Sequence, residues 1–306
     1  MHLAMIGLGR MGGNMVRRLR RAGIEVSGFD RDLDAARELE RECGMTAAGS
    51  LEELVRRVPR PRAVWLMLPA GAATEATLDA LQPLLTGGDT VIDGANSHFK
   101  DSMRRAERLQ AAGLAYLDVG VSGGVWGLSE GYALMIGGAA DAVARLRPVF
   151  EALAPAADRG WLHCGPSGSG HFVKMVHNGI EYGMMQAYAE GFSLLKARDD
   201  FGLDLAAIAE MWRHGSVVRS WLLDLTADFL KQDQLLTRVA PYAGDSGEGR
   251  WTAIEAIEQG IPAPVISTAL MMRFASQGHS DYAARLLAMM RLAFGGHKVE
   301  ELPGDE

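Results

Sequence analysis

The stretch Gly7-Leu8-Gly9-Arg10-Met11-Gly12 decides the fold, because it stands between an apolar strand pattern at residues 2–6 and a helical pattern at residues 11–22. In this arrangement the first glycine permits a tight turn, the second lets backbone approach a pyrophosphate, and the third lets the helix pack on the strand. The free amide groups at the start of the helix would then face the phosphates. The stretch therefore predicts a dinucleotide-binding βαβ unit.

The choice between the two nicotinamide dinucleotides depends on Asp30 and Arg31. Asp30 ends the second predicted strand, 21 residues after Gly9. A carboxylate there can accept hydrogen bonds from the adenosine ribose and would repel a 2′-phosphate. Arg31 can either hold such a phosphate or lie on the surface as an ordinary charged residue. We expect NAD as the cofactor and leave NADP open as a second one.

Strand and helix patterns alternate along the first half of the chain. Short apolar runs suited to strands occupy residues 2–6, 25–29, 63–68, 90–93, 115–119, 132–136 and 160–164. The charged, Ala- and Leu-rich stretches between them are typical of βαβ units around a mainly parallel sheet. We therefore expect an α/β, Rossmann-type, doubly wound domain in residues 1–164.

The pattern changes at Gly165-Pro166-Ser167-Gly168-Ser169-Gly170. Beyond this stretch the sequence shows long helical patterns and almost no strand pattern. We expect residues 165–306 to form an all-α domain.

Three further loops follow predicted strands of the first domain. In doubly wound sheets ligands bind beyond the carboxyl ends of the strands, so these loops are candidates for binding. We expect all three to meet the cofactor, with Asn96 and Ser122 able to orient a ligand by hydrogen bonds, although each could also be an ordinary βα turn. They are Leu68-Pro69-Ala70-Gly71, Gly94-Ala95-Asn96-Ser97 and Val121-Ser122-Gly123-Gly124.

Composition narrows the class of protein. The chain has 306 residues, of which 48% are hydrophobic and 23% charged, with a formal net charge of −7. An acidic chain lacks the basic footprint of a nucleic-acid-binding protein, and an anion site must then be built from a few local cations. No apolar run reaches the ~20 residues that span a bilayer, and the N-terminus lacks a signal-peptide pattern. The two cysteines fit a reducing compartment, so we expect a cytoplasmic protein without a metal site.

A polar stripe marks one predicted helix of the second half. Five polar residues that begin at Lys174 lie at offsets of 0, 3, 4, 7 and 8, which places them on one face of a helix with 3.6 residues per turn. The intervening Met175, Val176, Gly179 and Ile180 are mostly apolar and could face a core. A solvated surface is the alternative, although it would be richer in Glu and Arg. The stripe consists of Lys174, His177, Asn178, Glu181 and Tyr182.

These motifs together resemble a known family. The glycine loop, Asp118-Val119-Gly120-Val121-Ser122-Gly123-Gly124 and the glycine-rich approach to Lys174 resemble the β-hydroxyacid dehydrogenases. His171-Phe172-Val173-Lys174-Met175-Val176-His177-Asn178-Gly179-Ile180-Glu181-Tyr182 is similar to the decarboxylating 6-phosphogluconate dehydrogenases in particular. The similarity covers nearly the whole chain and suggests the short bacterial form.

The resemblance implies a role for each matched residue. Lys174 would be the base toward the substrate 3-hydroxyl, and Glu181 would protonate C1 of the enediol after loss of CO₂. Asn96, Ser122, the amides of Gly123 and Gly124, His177 and Asn178 would hold the carboxylate and hydroxyls. Tyr182 and Arg273 would bind the phosphate, joined by Arg291 and His297 from a second subunit. A homo-oligomer, either dimer or tetramer, is expected.

One loop departs from the family. Ser246 and Glu248 stand where the longer enzymes have a lysine and a threonine that touch the phosphate. We expect Glu248 to turn outward or to pair with Arg250, since a carboxylate beside a phosphate is repulsive.

Two other functions are compatible with parts of the pattern. A non-decarboxylating 3-hydroxyisobutyrate or tartronate-semialdehyde dehydrogenase would share the fold, but Glu181, Tyr182 and the Arg291/His297 pair speak against it. A non-catalytic dinucleotide sensor would have no use for the Lys174/Glu181 pair.

Overall fold

The computed structural model describes residues 1–295 and residue 298. The chain forms two compact units, the first comprising Met1–His177 and the second beginning at Asn178.

The first unit contains an eight-stranded sheet in the order β3-β2-β1-β4-β5-β6-β7-β8. All neighbouring strands are parallel except β6 and β7. The predicted Rossmann-type, mainly parallel sheet is therefore confirmed. The two-residue β3 has too short a pattern to be predicted. The strands are β1 (His2–Ile6), β2 (Glu25–Phe29), β3 (Thr46–Ala47), β4 (Ala63–Leu66), β5 (Thr90–Asp93), β6 (Ala115–Ser122), β7 (Ala133–Gly138) and β8 (Trp161–Gly165).

Helices cover both faces of this sheet. Successive residues of a strand point to opposite faces, so Leu3 and Met5 join one buried cluster while Ala4 and Ile6 join another. The helices of this unit are α1 (Arg10–Arg21), α2 (Leu33–Cys43), α3 (Leu51–Arg57), α4 (Ala72–Leu81), α5 (Phe99–Ala111), α6 (Gly127–Glu130) and α7 (Ala140–Leu153). α1, α2 and α7 contribute to the first cluster, and α3, α4 and α5 contribute to the second.

The order of the strands creates a switch point beside β1. β1 pairs with β2 on one side and with β4 on the other. The connection that follows β1 therefore runs toward one edge of the sheet, and the connection that follows β4 runs toward the other edge. Ligands of doubly wound proteins bind in the crevice that opens at such a point. The loops after β1 and β4 are the predicted cofactor loops.

Helix α8 (Ser169–Lys196) begins in the first unit and continues into the second. Helices also form the remainder of the second unit, and among its described residues there is no strand. The predicted helical second part is confirmed. The further helices are α9 (Leu205–Trp212), α10 (Trp221–Leu230), α11 (Glu248–Glu258), α12 (Pro264–Ser276) and α13 (Asp281–Gly295).

The second unit buries little apolar surface. Its buried clusters are small, one around Leu223 and one around Tyr182. Many large apolar side chains lie in solvent, and on α13 every side chain from residue 281 to 293 is exposed except that of the half-buried Ala288. In the part of the chain that the structure describes, no helix is long and apolar enough to cross a membrane.

Candidate active site

The glycine loop after β1 has the geometry that a dinucleotide needs. Gly7 has a positive φ of 89°, and a Cβ there would lie 2.2 Å from the carbonyl oxygen of Met67. A Cβ on Gly12 would lie 1.9 Å from the carbonyl oxygen of Gly7. Gly9, in contrast, is exposed, and a Cβ there would meet no atom within 4 Å. Two glycines therefore serve the turn and the packing, and the third leaves the loop open to a ligand.

The N-terminus of α1 is suited to phosphate. Its N-cap is Gly9, and no side chain caps the first amide groups. Such amides, reinforced by the helix dipole, bind anions. Arg10 is exposed and Met11 half-buried at the same helix start.

Asp30 holds the glycine loop through its carboxylate. Its Oδ2 accepts from the Leu8 amide at 2.6 Å, and its Oδ1 accepts from the Asp32 amide at 2.9 Å. A carboxylate has about four acceptor positions, so two stay available for ribose hydroxyls. Arg31 is exposed. These residues fit NAD.

The loop after β4 is held by a side-chain hydrogen bond and is partly exposed to solvent. The Thr74 hydroxyl donates to the carbonyl of Pro69 at 2.9 Å. Leu68 is half-buried, whereas Pro69 and Ala70 are exposed. Backbone at this position can approach a cofactor.

Asn96 has a strained backbone. Its φ is 51°, a conformation that side-chain-bearing residues seldom adopt. Its Oδ1 is buried and has no hydrogen-bonding partner among the described atoms. Strain of this kind concentrates at functional sites, and an unsatisfied buried acceptor is suited to a ligand donor.

Lys174, His177 and Ser122 lie together in the first unit. The Nζ of Lys174 is 3.5 Å from Nδ1 of His177, and Nε2 of His177 is 3.4 Å from Oγ of Ser122. Lys174 is only 6% exposed. Gly123 and Gly124, next to Ser122, both have positive φ. The structure thus brings a buried amine, an imidazole and a hydroxyl to one place.

Two features fix Lys174 against the sheet. Asp118 of β6 accepts from the amides of Gly168 and His171 at 2.7 and 2.8 Å, which caps the start of α8. A Cβ on Gly120 would lie 2.3 Å from the Cβ of Lys174, so β6 and α8 can approach here only because residue 120 is glycine. The capping role of Asp118 was not predicted from the sequence.

The polar stripe of α8 is largely withdrawn from solvent. Tyr182 is buried like Lys174, and His177, Asn178 and Glu181 are half-buried. Met175 faces a core as expected, but Ile180 is 53% exposed. The expectation that the intervening apolar residues could face a core was therefore wrong for Ile180.

In the second unit, Tyr182 and Arg273 form a stacked pair. The Arg273 guanidinium lies 3.6 Å from the centre of the Tyr182 ring, and its Nη1 donates to the Gly244 carbonyl at 2.6 Å. The Tyr182 hydroxyl is 3.4 Å from Oγ of Ser246. The structure thus brings together two residues for which the family resemblance implies phosphate binding.

The carboxylates of Asp245 and Glu248 make different contacts from those expected. Glu248 is buried and accepts from the Ser246 hydroxyl at 2.5 Å, so it neither turns outward nor pairs with Arg250. Arg250 instead contacts Asp245 at 2.6 Å. The helix geometry explains this, because Glu248 begins α11 and its carboxylate can bond locally to Ser246.

The two remaining candidates lie at the C-terminal end. Arg291 is exposed on α13, and His297 lies outside the described residues. Among the residues described, no group of His, Cys, Asp or Glu is arranged to hold a metal ion.

Known proteins resemble both parts of the chain. The family profile "NAD binding domain of 6-phosphogluconate dehydrogenase" matches residues 2–164, and the profile "6-phosphogluconate dehydrogenase, C-terminal domain" matches residues 170–302. The NAD(+)-dependent, decarboxylating 6-phosphogluconate dehydrogenase of Haloferax volcanii is 46% identical over 300 residues, which is 98% of each chain.

Solved structures show the same relationship. A 6-phosphogluconate dehydrogenase of Plasmodium falciparum, studied in its apo form and with NADP+ and 6-phosphogluconate, has a TM-score of 0.84 at 29% identity and covers 100% of this chain and 67% of its own. A 3-hydroxyisobutyrate dehydrogenase of Salmonella typhimurium is less similar, with a TM-score of 0.74 at 26% identity over 90% of this chain and 94% of its own. Because family profiles match both parts and a relative matches nearly full length, the chain belongs to the 6-phosphogluconate dehydrogenase family.

Proposed function

We propose that this chain oxidises and decarboxylates 6-phosphogluconate to ribulose 5-phosphate and CO₂ with NAD as the hydride acceptor. The observation that carries the proposal is the buried Lys174, placed against His177 and Ser122 in the unit that contains the dinucleotide loop. The family membership supports this function over the non-decarboxylating alternative.

Residues of the first unit would hold the cofactor. The amides of the Gly7-Leu8-Gly9-Arg10-Met11-Gly12 loop would bind the pyrophosphate, and Asp30 would bind the ribose. Leu68, Pro69, Ala70 and Asn96 would complete the cofactor site. Bound NAD supplies an acceptor for the hydride from C3. Arg31, which is exposed, leaves room for some use of NADP.

Lys174 performs the acid–base chemistry at C3. The neutral amine takes the proton of the 3-hydroxyl while C3 loses its hydride, which gives a 3-keto acid. Burial favours the neutral form that a lysine base needs. The C1–C2 bond then breaks, its electron pair moves toward the C3 carbonyl, and CO₂ leaves. Lys174, now protonated, donates to the resulting enolate oxygen, and Glu181 delivers a proton to the former C2 of the substrate, which becomes C1 of ribulose 5-phosphate.

Other residues orient the substrate. Asn96 offers its unsatisfied Oδ1, and Ser122, His177 and Asn178 supply further hydrogen bonds to the carboxylate and hydroxyls. The amides of Gly123 and Gly124 complete this set.

Tyr182 and Arg273 bind the phosphate. Arg273 can present unused N–H groups while stacked on Tyr182, and guanidinium groups suit phosphate recognition. Arg291 and His297 complete the site from a second subunit.

We propose that the chain acts as a homo-oligomer, either a dimer or a tetramer. The apolar side chains of α13 lie in solvent in the single chain, with Tyr282 78% and Leu287 59% exposed. Exposed apolar surface on this scale marks a protein interface. We further propose that residues 1–164 bind the cofactor and that residues 165–306 bind the substrate and form the oligomer. We also propose that the protein is located in the reducing cytoplasm.

Incubation of the protein with 6-phosphogluconate and NAD tests the function. Formation of NADH with an equal amount of CO₂ is the expected result. NADH without CO₂ would favour a non-decarboxylating dehydrogenase, and cofactor binding without turnover would favour a sensor.

A further inference from the structure

Arg105 of α5 connects two of the loops that are proposed to hold the ligands. Its side chain is only 1% exposed. It bonds to Asp93, which ends β5 and precedes the Asn96 loop (residues 94–97). It also bonds to Glu75 in the first turn of α4, which follows the loop after β4. None of these three residues has a role in the proposed reaction.

On the side of β5, Asp93 and Arg105 hold the two neighbours of Asn96. Oδ1 of Asp93 accepts from the Ala95 amide at 3.0 Å, and its Oδ2 accepts from the Ser97 hydroxyl at 3.0 Å. Nη1 of Arg105 donates to that carboxylate and to the Ser97 oxygen, each at 2.7 Å. The left-handed Asn96 therefore lies between two residues that one buried ion pair fixes.

On the side of α4, Glu75 joins Arg105 to the loop after β4. Nε of Arg105 donates to Oε1 of Glu75 at 2.9 Å. The Glu75 amide donates to the Gly71 carbonyl at 3.0 Å, and the Thr74 hydroxyl donates to the Pro69 carbonyl at 2.9 Å. The loop after β4 and the first turn of α4 are therefore one hydrogen-bonded segment, which Glu75 connects to Arg105.

Charge strengthens this connection. Burial by itself would raise the pKa of Asp93, but His171, Arg105 and the hydrogen bonds to the carboxylate hold that pKa below its ordinary value. The bond between Asp93 and Arg105 thus joins two opposite charges away from water. Such bonds are roughly twice as strong as those between neutral groups. The planar guanidinium also holds its partners in fixed directions, so Arg105 sets the separation of the two loops.

We propose that Arg105 and Glu75 are positioning residues, which fix the Asn96 loop against the loop after β4 and so hold Asn96 where it meets cofactor and substrate. The effect on turnover rests on the proposed function, whereas the coupling between the loops does not. A displacement of about 1 Å in a positioned group can lower a rate roughly 10²-fold.

Two variants of Glu75 cut or keep the connection. Glu75→Ala removes the acceptor of the Arg105 Nε, but Arg105 keeps its buried carboxylate partner, so no charge is left unpaired inside the first unit. Glu75→Gln keeps an oxygen in the same place that can accept from Nε. If the bond to Arg105 is what matters, Glu75→Gln should lose much less than Glu75→Ala in every measurement.

Matched controls lie beside Glu75. Asp79, one turn further along α4, pairs with Arg108 of α5 at 2.8 Å, and among the described residues Arg108 makes no hydrogen bond to the Asn96 loop. Asp79→Ala therefore removes another ion pair between the same two helices. Arg104→Ala removes a longer, exposed ion pair of Glu75 itself, at 3.6 Å.

Amide hydrogen exchange of the protein without ligands measures the coupling. We expect Glu75→Ala to accelerate exchange in the Asn96 loop about tenfold, the equivalent of one hydrogen bond to a charged group. Asp79→Ala and Arg104→Ala should leave that loop unchanged. Faster exchange confined to residues 69–75, or equal acceleration in Glu75→Gln, would overturn the proposal.

NAD titration and steady-state kinetics measure the consequence. We expect Glu75→Ala to raise Kd for NAD and to lower kcat, each about tenfold, although its melting temperature should fall no more than that of Asp79→Ala. A kcat that follows the melting temperature through all the variants would show a merely structural role and contradict the inference. A wild-type protein inactive on 6-phosphogluconate would overturn the proposed function, while hydrogen exchange and NAD binding would still decide the coupling.

The two ends of β5 provide the test of Arg105 itself. Asp89, just before the strand, pairs with Arg62 at 3.0 Å, as Asp93 at its other end pairs with Arg105. Arg105→Lys and Arg62→Lys each keep the charge and lose the planar fork, and both should lower the melting temperature. Only Arg105→Lys should weaken NAD binding and accelerate exchange in the Asn96 loop. The same losses in Arg62→Lys would refute a positioning role for Arg105.

Discussion

The Nζ of Lys174 lies 3.5 Å from Nδ1 of His177, one turn further along the same helix. His177 in turn lies 3.4 Å from Ser122 at the end of β6. A buried amine beside an imidazole and a hydroxyl is suited to proton transfer at a substrate hydroxyl. This relationship is the basis of the first prediction.

Lys174→Met should lower kcat by ~10²–10⁴-fold, the usual cost of losing a positioned base. Binding of NAD, measured by fluorescence titration, should stay nearly unchanged because Lys174 serves the substrate. Lys196→Met is the control, since Lys196 is exposed at the end of the same helix. Near-normal turnover of Lys174→Met would show that the base is another residue.

Glu181→Gln should slow the protonation that follows the loss of CO₂, and not the oxidation. If Glu181 protonates C1, its amide variant should still form NADH in a single turnover but release ribulose 5-phosphate slowly. Rapid quench of the first turnover separates these steps. Loss of the NADH burst itself would assign Glu181 to the oxidation.

The protein should prefer NAD over NADP by kcat/KM, because a carboxylate at the end of β2, here Asp30, would repel a 2′-phosphate. Asp30→Asn removes the charge but keeps an oxygen that can accept from the Leu8 amide. We expect Asp30→Asn to reduce the ratio of kcat/KM for NAD to kcat/KM for NADP roughly tenfold, which is the scale of one charged interaction. A wild-type preference for NADP would contradict the role of Asp30.

Arg273→Ala should raise KM for 6-phosphogluconate by more than about tenfold, since a hydrogen bond to a charged group contributes roughly 1.5–3 kcal/mol. Arg273→Lys should give a smaller rise, because lysine keeps the charge but not the planar stacking on Tyr182. Arg198→Ala is the control, as Arg198 also lies over an aromatic ring, that of Phe201, at 4.2 Å. An unchanged KM in Arg273→Ala, or a better kcat/KM for free gluconate, would argue against this phosphate site.

The protein should be at least a dimer in light scattering at assay concentrations. Leu287→Glu places a charge on the exposed apolar surface of α13 and should weaken both association and activity. Leu33→Glu, at an exposed apolar position on α2 of the first unit, should do neither. An active wild-type monomer would contradict the proposed oligomer.

Much of the fold could be predicted because its signals are local. Strands β1, β2 and β5 have the predicted ends, since each is a short apolar run with a clear break after it. β7 and β8 were displaced by one or two residues, because flanking glycines blur their ends. The exposure of Ile180 was missed, because a sequence pattern does not show whether an apolar residue faces a core or the surface.

The sequence by itself determined the glycine loop, the carboxylate after β2 and the order of residues along α8, because each depends on residues close together in the chain. Only the tertiary structure showed that Asp118 caps the start of α8 and that Ser122 lies beside His177, because these contacts join residues 50 and 55 positions apart. It also decided that Glu248 is buried beside Ser246 and that Arg250 pairs with Asp245. Polar partners of this kind are chosen by burial and by the geometry of donors and acceptors, neither of which a linear pattern records.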